Sequence, residues 1–177
     1  MMSAIEHNWQ GISTAPRDGT RFYIDCEFDG HNGPLISMGI IREDGRDLYI
    51  MVESHPRNLW VLENVVPVLE RHSAYVTWVC PPNLVGGAIR SFIGLCECPV
   101  IIADSPVDIA RFCAAISTSE DGDWQSTNYR AMRFEVHNVD CYPNDIEGAV
   151  QHNAWWDAVS LRYALTLPAP PTPKGGA

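Results

Sequence analysis

The sequence predicts a layered α/β fold built on a mixed β-sheet, with three antiparallel strands, parallel strands beside them and flanking α-helices. Residues 22–53 hold three strand-like runs joined by tight-turn signals. A continuous apolar run, Pro99-Val100-Ile101-Ile102-Ala103, follows two helical stretches, the pattern of a parallel strand buried on both faces. Helical apolar spacing and one further strand then fill the chain to its Pro-rich end.

The first strand covers residues 22–28, and the segment 29–34 (Asp-Gly-His-Asn-Gly-Pro) turns the chain. A second strand over residues 35–42 and a third over 47–53 are joined at Asp44-Gly45, a hairpin signal. Residues 59–69 carry helical apolar spacing broken near Pro67. Residues 83–95 predict a helix with Leu84, Ala88, Phe92 and Leu95 along one stripe. The buried strand 99–103 is expected beside the first strand, through a parallel crossover. Ser105 then suits an N-cap and Pro106 the first helical position, with Ile109, Phe112, Cys113 and Ile116 continuing the stripe. Residues 117–130 form a polar loop, 133–139 a short strand and 153–165 a last helix. Residues 1–20 read as an N-terminal extension, 21–167 as one domain, and 168–177 as a disordered Pro/Gly-rich tail.

Within the first strand, Asp25 and Glu27 are two residues apart and so share one face of the sheet, roughly 6–7 Å from each other. Two carboxylates side by side in an otherwise apolar strand repel each other and lose hydration, a cost that a divalent cation relieves. The alternative is an edge strand with both acids in water. Asp108 lies in the first turn of its helix, where Ser105 and Asp108 also fit a capping box, and Asp104 at the strand end is a competing ligand candidate. His152 and Asp157 flank the start of the last helix. They suit one site if His152 sits in the preceding loop, Asn153 caps the helix and Asp157 lies one turn in. The alternative there is a surface histidine and an aspartate favoured by the helix dipole. Trp155 and Trp156 read as packing residues.

A chain of 177 residues with 46% hydrophobic content can bury one core. Its net charge of −10 argues against broad binding of duplex phosphates, while leaving room for a site that grips a few nucleotides through metal ions. The six cysteines are irregularly spaced and suggest no disulfide scaffold, with Cys26 and Cys113 in apolar patterns. Cys96-Glu97-Cys98 lacks the second pair that a zinc site requires. No apolar run approaches the ~20 residues of a membrane span, and the first ten residues lack a signal-peptide pattern, so a cytoplasmic location is expected.

Taken in order, Asp25-x-Glu27, Asp108 and His152-x-Ala154-x-x-Asp157 resemble the three motifs of the DEDDh 3′–5′ exonuclease group of the ribonuclease H-like superfamily. The stretch from Leu35-Ile36-Ser37-Met38-Gly39 through Glu43-Asp44-Gly45-Arg46 to Tyr49 resembles the hairpin of the small bacterial, mycobacterial-type 3′–5′ exoribonucleases. So does Trp60-Val61-Leu62-Glu63-Asn64 their next segment. The likeness covers roughly residues 21–165 and is weaker over 117–150. It implies a ribonuclease H-like fold and two Mg²⁺ or Mn²⁺ ions held by Asp25, Glu27, Asp108 and Asp157, with Asp25 bridging. It also implies His152 as general base and RNA as the substrate, hydrolysed from its 3′ end to nucleoside monophosphates, as well as a homodimer. Cys26, Phe28 and Leu35 lie close enough to the motif to be candidates for a terminal-nucleotide pocket. A DNA exonuclease of the same group, or a non-catalytic interaction module on the same fold, are the alternatives.

Overall fold

The computed structural model describes residues 18–123, 129, 131–139, 143 and 146–166. Most of the N-terminal extension, part of the 117–130 loop, residues 140–142 and 144–145 before the final helix, and the tail lie outside these described residues. A six-stranded sheet runs in the order β4 (Thr77–Cys80), β3 (Asp47–Val52), β2 (Leu35–Arg42), β1 (Arg21–Phe28), β5 (Val100–Ala103), β6 (Arg133–Val136). Strands β1 (Arg21–Phe28), β2 (Leu35–Arg42) and β3 (Asp47–Val52) form the expected antiparallel meander, with Gly45 at positive φ in the hairpin turn. Strand β5 (Val100–Ala103) is buried at all four positions and pairs parallel with β1, as its unbroken apolar run predicts. Strand β6 (Arg133–Val136) pairs parallel with β5 and is shorter than expected.

Helices α2 (Val85–Ile93) and α3 (Pro106–Ile116) cover one face of the sheet, where Phe22, Ile24, Met38, Ile40 and Phe112 share a core. Helix α4 (Ala154–Thr166) covers the other, over Tyr23, Tyr49 and Ile102. The short helix α1 (Leu59–Asn64), followed by a 3₁₀ turn at Val66–Val68, packs Val61 and Val65 on Ile36. Among the described residues no helix is long and apolar enough to cross a membrane. The architecture is α/β and consistent with the ribonuclease H-like fold.

Two local readings need correction. Strand β4 (Thr77–Cys80), parallel to β3 at the sheet edge, has no counterpart in the sequence reading. It is short, and Thr77, Trp78 and Val79 are all exposed, so it lacks the alternation that marks a half-buried strand. The helix read over 83–95 begins as a 3₁₀ turn at Pro82–Leu84 and stops at Gly94, whose φ is +63°. Leu95 therefore falls outside the apolar stripe and is 85% exposed, while Val85, Ala88, Ile89 and Ile93 form the buried face. The helical stretch over 59–69 breaks at Pro67 as expected, the proline sitting within the 3₁₀ turn because it cannot continue an α-helical hydrogen-bond ladder.

Candidate active site

Strand β1 is central, hydrogen-bonded to β2 on one side and β5 on the other, so Asp25 and Glu27 do not lie on an edge. They alternate with Cys26 and Phe28 and share the face of Tyr23, toward α4. The register shifts between Glu27 and Phe28, a bulge at the end of the strand that carries the acids.

Helix α3 opens beside this end. Ser105 Oγ accepts a hydrogen bond from Val107 N at 3.1 Å, as an N-cap does. The Asp108 carboxylate accepts from the backbone N–H groups of Cys26 and of Asp108 itself, so it faces β1. Cys26 Sγ lies 3.9 Å from the Asp108 carbonyl oxygen, a second tie between strand and helix.

Helix α4 supplies the third element. Asn153 is the N-cap: its Oδ1 accepts from Trp155 N and Trp156 N at 3.2 and 3.3 Å. Its Nδ2 donates to the carbonyls of Val68 and Leu69, anchoring the helix start to the 3₁₀ turn. His152 sits in the loop before the cap, as the spacing required, with φ +61°. The Asp157 carboxylate accepts from the backbone N–H groups of His152 and Asn153. Both tryptophans are buried packing residues, with Trp155 Nε1 donating to Asp47 Oδ2 (3.0 Å) and Trp156 Nε1 to the Arg71 carbonyl (2.8 Å).

These elements bring five acids together in two groups that share Asp25. Ligand oxygens of Asp25, Asp104 and Asp108 lie within 4.8 Å of one another, and so do those of Asp25, Glu27 and Asp157. Asp104 thus stands with Asp108, and the geometry does not set one against the other. Burial and the surrounding carboxylates, Asp108 and Asp157 foremost, raise the Asp25 pKa well above the ordinary value. Burial, then Asp157 and Asp108, push Glu27 up to about 8. Burial is also the largest cause for Asp108 and Asp157, each raised to about 7, and Asp104 adds to both. A set of hard oxygen donors that repel one another in a low-dielectric pocket suits a divalent ion such as Mg²⁺ or Mn²⁺.

The raised values have a measurable sign. A carboxyl group with a higher pKa folded than unfolded (about 4) binds more protons in the native state. Its stabilising contribution is complete below about pH 4 and is lost as pH rises through about 7–8. The metal-free protein is expected to melt at a temperature several degrees lower at pH 8.5 than at pH 5, and 5 mM Mn²⁺ should recover much of that at pH 8.5. Thermal melts with and without chelator check this, and a flat or rising profile without metal would contradict it.

Sequence reasoning did not single out Gly39 for a role in the site. It faces Asp25 across the β1–β2 pairing, and a β-carbon there would lie 2.6 Å from Trp155 Cα and would overlap the Ala154 carbonyl oxygen. Only a glycine lets the first turn of α4 seat directly on β2 and bring Asp157 to β1. Its signal was present: a lone glycine inside an otherwise apolar strand marks close backbone approach.

No family model matches the chain. Two Mycobacterium tuberculosis proteins, from the CDC 1551 and H37Rv strains, are each named 3′–5′ exoribonuclease. Each is 43% identical to it over 54 residues, which is 28% of this chain and 32% of the relative. The chain therefore spans about a third of the length of the curated relatives it matches. Over that stretch the likeness is to nucleases.

Proposed function

We propose that the chain is a metal-dependent 3′–5′ exoribonuclease of the DEDDh type, which removes nucleoside monophosphates from the 3′ end of RNA. The observation that carries the reading is the convergence of β1, α3 and α4 on two carboxylate groups joined through Asp25. The short likeness to proteins named 3′–5′ exoribonuclease supports the same substrate class and direction.

Asp25, Glu27, Asp108 and Asp157 are the residues that would hold the ions, with Asp104 beside them. Two bound Mg²⁺ or Mn²⁺ ions would supply Lewis acidity and a nucleophilic water at neutral pH. His152 is the general base, taking the proton of the attacking water on an imidazole nitrogen. Water adds to the terminal phosphorus, the bond to the preceding 3′-oxygen breaks, that oxygen takes up a proton to become a 3′-hydroxyl, and a nucleoside 5′-monophosphate departs from a chain shorter by one. The backbone N–H groups of His152 and Asn153 fix the Asp157 carboxylate, so one short segment orients both an acid and the base.

Cys26, Phe28 and Leu35 lie toward the opposite layer of the sheet from Asp25 and Glu27. Leu35 lines a cavity of about 460 Å³ together with Arg111, His55 and Glu53, and the Arg111 guanidinium stands 4.7 Å over the Phe28 ring. That volume is in the range of pockets that take a nucleotide, so Phe28 and Leu35 remain candidates for contacts to the end of the RNA. A homodimer, and RNA with a 3′ overhang, belong to the same proposal.

Matched 5′-labelled RNA and DNA oligonucleotides incubated with Mg²⁺ or Mn²⁺ test the reading. RNA should shorten stepwise from its 3′ end, release nucleoside 5′-monophosphates, and stop with chelator. Equal shortening of DNA would make the protein a DNA exonuclease of the same chemistry. Intact RNA and DNA under every metal condition would leave a binding module.

A further inference from the structure

We propose that Trp60 is a positioning residue for His152, holding its imidazole in one orientation; the proposal rests on the reading of His152 as general base. The indole and imidazole rings meet edge to face, with centroids 4.9 Å apart and planes at 79°. Trp60 is 51% exposed, so its ring is not held by core packing, and this contact is what its inner side makes with the site. His152 is the one non-glycine residue at positive φ among the described residues. Such a backbone conformation persists where neighbours over-determine it. Its N–H faces the Asp157 carboxylate, and the ring's two torsions are left to be set by whatever packs against them.

Trp60 is itself placed from both sides of the site. Helix α1 has six residues, too short to stand without anchors. Asp29, the second residue after Glu27, accepts hydrogen bonds from Arg57 N (2.9 Å) and Asn58 N (2.8 Å) through its two carboxylate oxygens. Asn58 in turn caps α1 by accepting from Val61 N at 3.2 Å. At the far end, Asn153 Nδ2 donates to the Val68 carbonyl at 2.7 Å. The end of the acid-bearing strand and the cap of α4 thus grip one short segment between them, and that segment presents Trp60 to His152. A misplaced reacting group costs rate more than binding, so the contact should act on kcat.

The test compares wild type, Trp60→Ala, Trp60→Phe and Asp29→Ala in two readouts. The first is kcat and KM on single-stranded RNA with Mn²⁺. The second is the imidazole carbon-bound proton resonances of the metal-free protein labelled at histidine, with His152 assigned by His152→Ala. Trp60→Ala should lower kcat by roughly tenfold with KM within about twofold, and Trp60→Phe, which keeps a ring, should recover most of it. Asp29→Ala should fall between them. The His152 resonances should lose their ring-current shift in Trp60→Ala and keep part of it in Trp60→Phe. An unchanged kcat, or a raised KM with kcat intact, would overturn the proposal, the latter by making Trp60 a substrate contact. His152 resonances unmoved in a folded Trp60→Ala protein would overturn it independently. If wild type degrades neither RNA nor DNA, the general-base reading fails, and the resonances still decide whether Trp60 holds the ring.

Discussion

Replacing Asp25 with asparagine should lower exonuclease activity about a thousandfold or more and, in the same protein, raise the melting temperature of the metal-free form at pH 8. The first effect follows from its place in both carboxylate groups, because losing the shared ligand disables both halves of the proposed site. The second follows from its electrostatics. Burial and the charges of Asp108, Asp157, Glu27 and Asp104 all disfavour its ionised form, so a neutral group of the same shape relieves repulsion that the fold otherwise carries. A gain of roughly 3–5 °C is expected, lost or reversed when wild type is saturated with Mn²⁺. Kinetics and thermal melts on one pair of preparations read both effects. A merely structural aspartate would give the opposite pattern: a lower melting temperature, with activity reduced only in proportion to folded protein. An exposed substitution on α4 away from the site, Tyr163→Ala, serves as the control that leaves both unchanged.

The second large effect belongs to Gly39. Substituting alanine puts a methyl group where the Ala154 carbonyl and Trp155 Cα already stand, and both neighbours are backbone that cannot swing aside. Helix α4 must lift or tilt at its first turn, at a cost of about 2–3 kcal/mol by analogy with overpacked cores. That turn carries Asp157 and is capped by Asn153, so the displacement strains the hydrogen bonds that orient both. Gly39→Ala should therefore lose activity even at temperatures where the protein remains folded, and weaken Mn²⁺ binding along with it. Denaturant unfolding together with Mn²⁺ titration distinguishes this from simple destabilisation. Unaltered metal affinity in a folded Gly39→Ala protein would show that α4 is not seated by this contact.

Much of the architecture was legible because local and long-range signals agreed. The Asp44-Gly45 turn set the β2–β3 hairpin, and the apolar run at 100–103 could be satisfied only inside the sheet. Ser105-Pro106 and Asn153 opened their helices as their side-chain chemistry dictates. Strand β4 was not legible, since an edge strand with three exposed residues has no alternation to read. Leu95 misled because helical spacing continued past Gly94, where the backbone stopped it.

The site divides in the same way. Asp25 and Glu27 announced themselves by sitting in an apolar strand, and the His152–Asp157 spacing worked only with the loop and cap that the structure has. What spacing could not give was the meeting of Trp60 with His152, or of Asp29 with the start of α1, because these join segments distant in sequence. The choice between Asp104 and Asp108 also dissolved in three dimensions, since both reach Asp25.

Mn²⁺ titration calorimetry of the metal-free protein measures directly whether this acid cluster is a metal centre. Run at pH 7.5 in two buffers of different ionisation enthalpy, wild type should bind two ions per chain and release protons, because groups with pKa values of about 7–8 must give theirs up to the metal. Asp157→Asn should bind fewer ions and release fewer protons. No heat of binding at millimolar Mn²⁺ in a folded wild-type protein would contradict the account and leave the five acids without the role assigned to them.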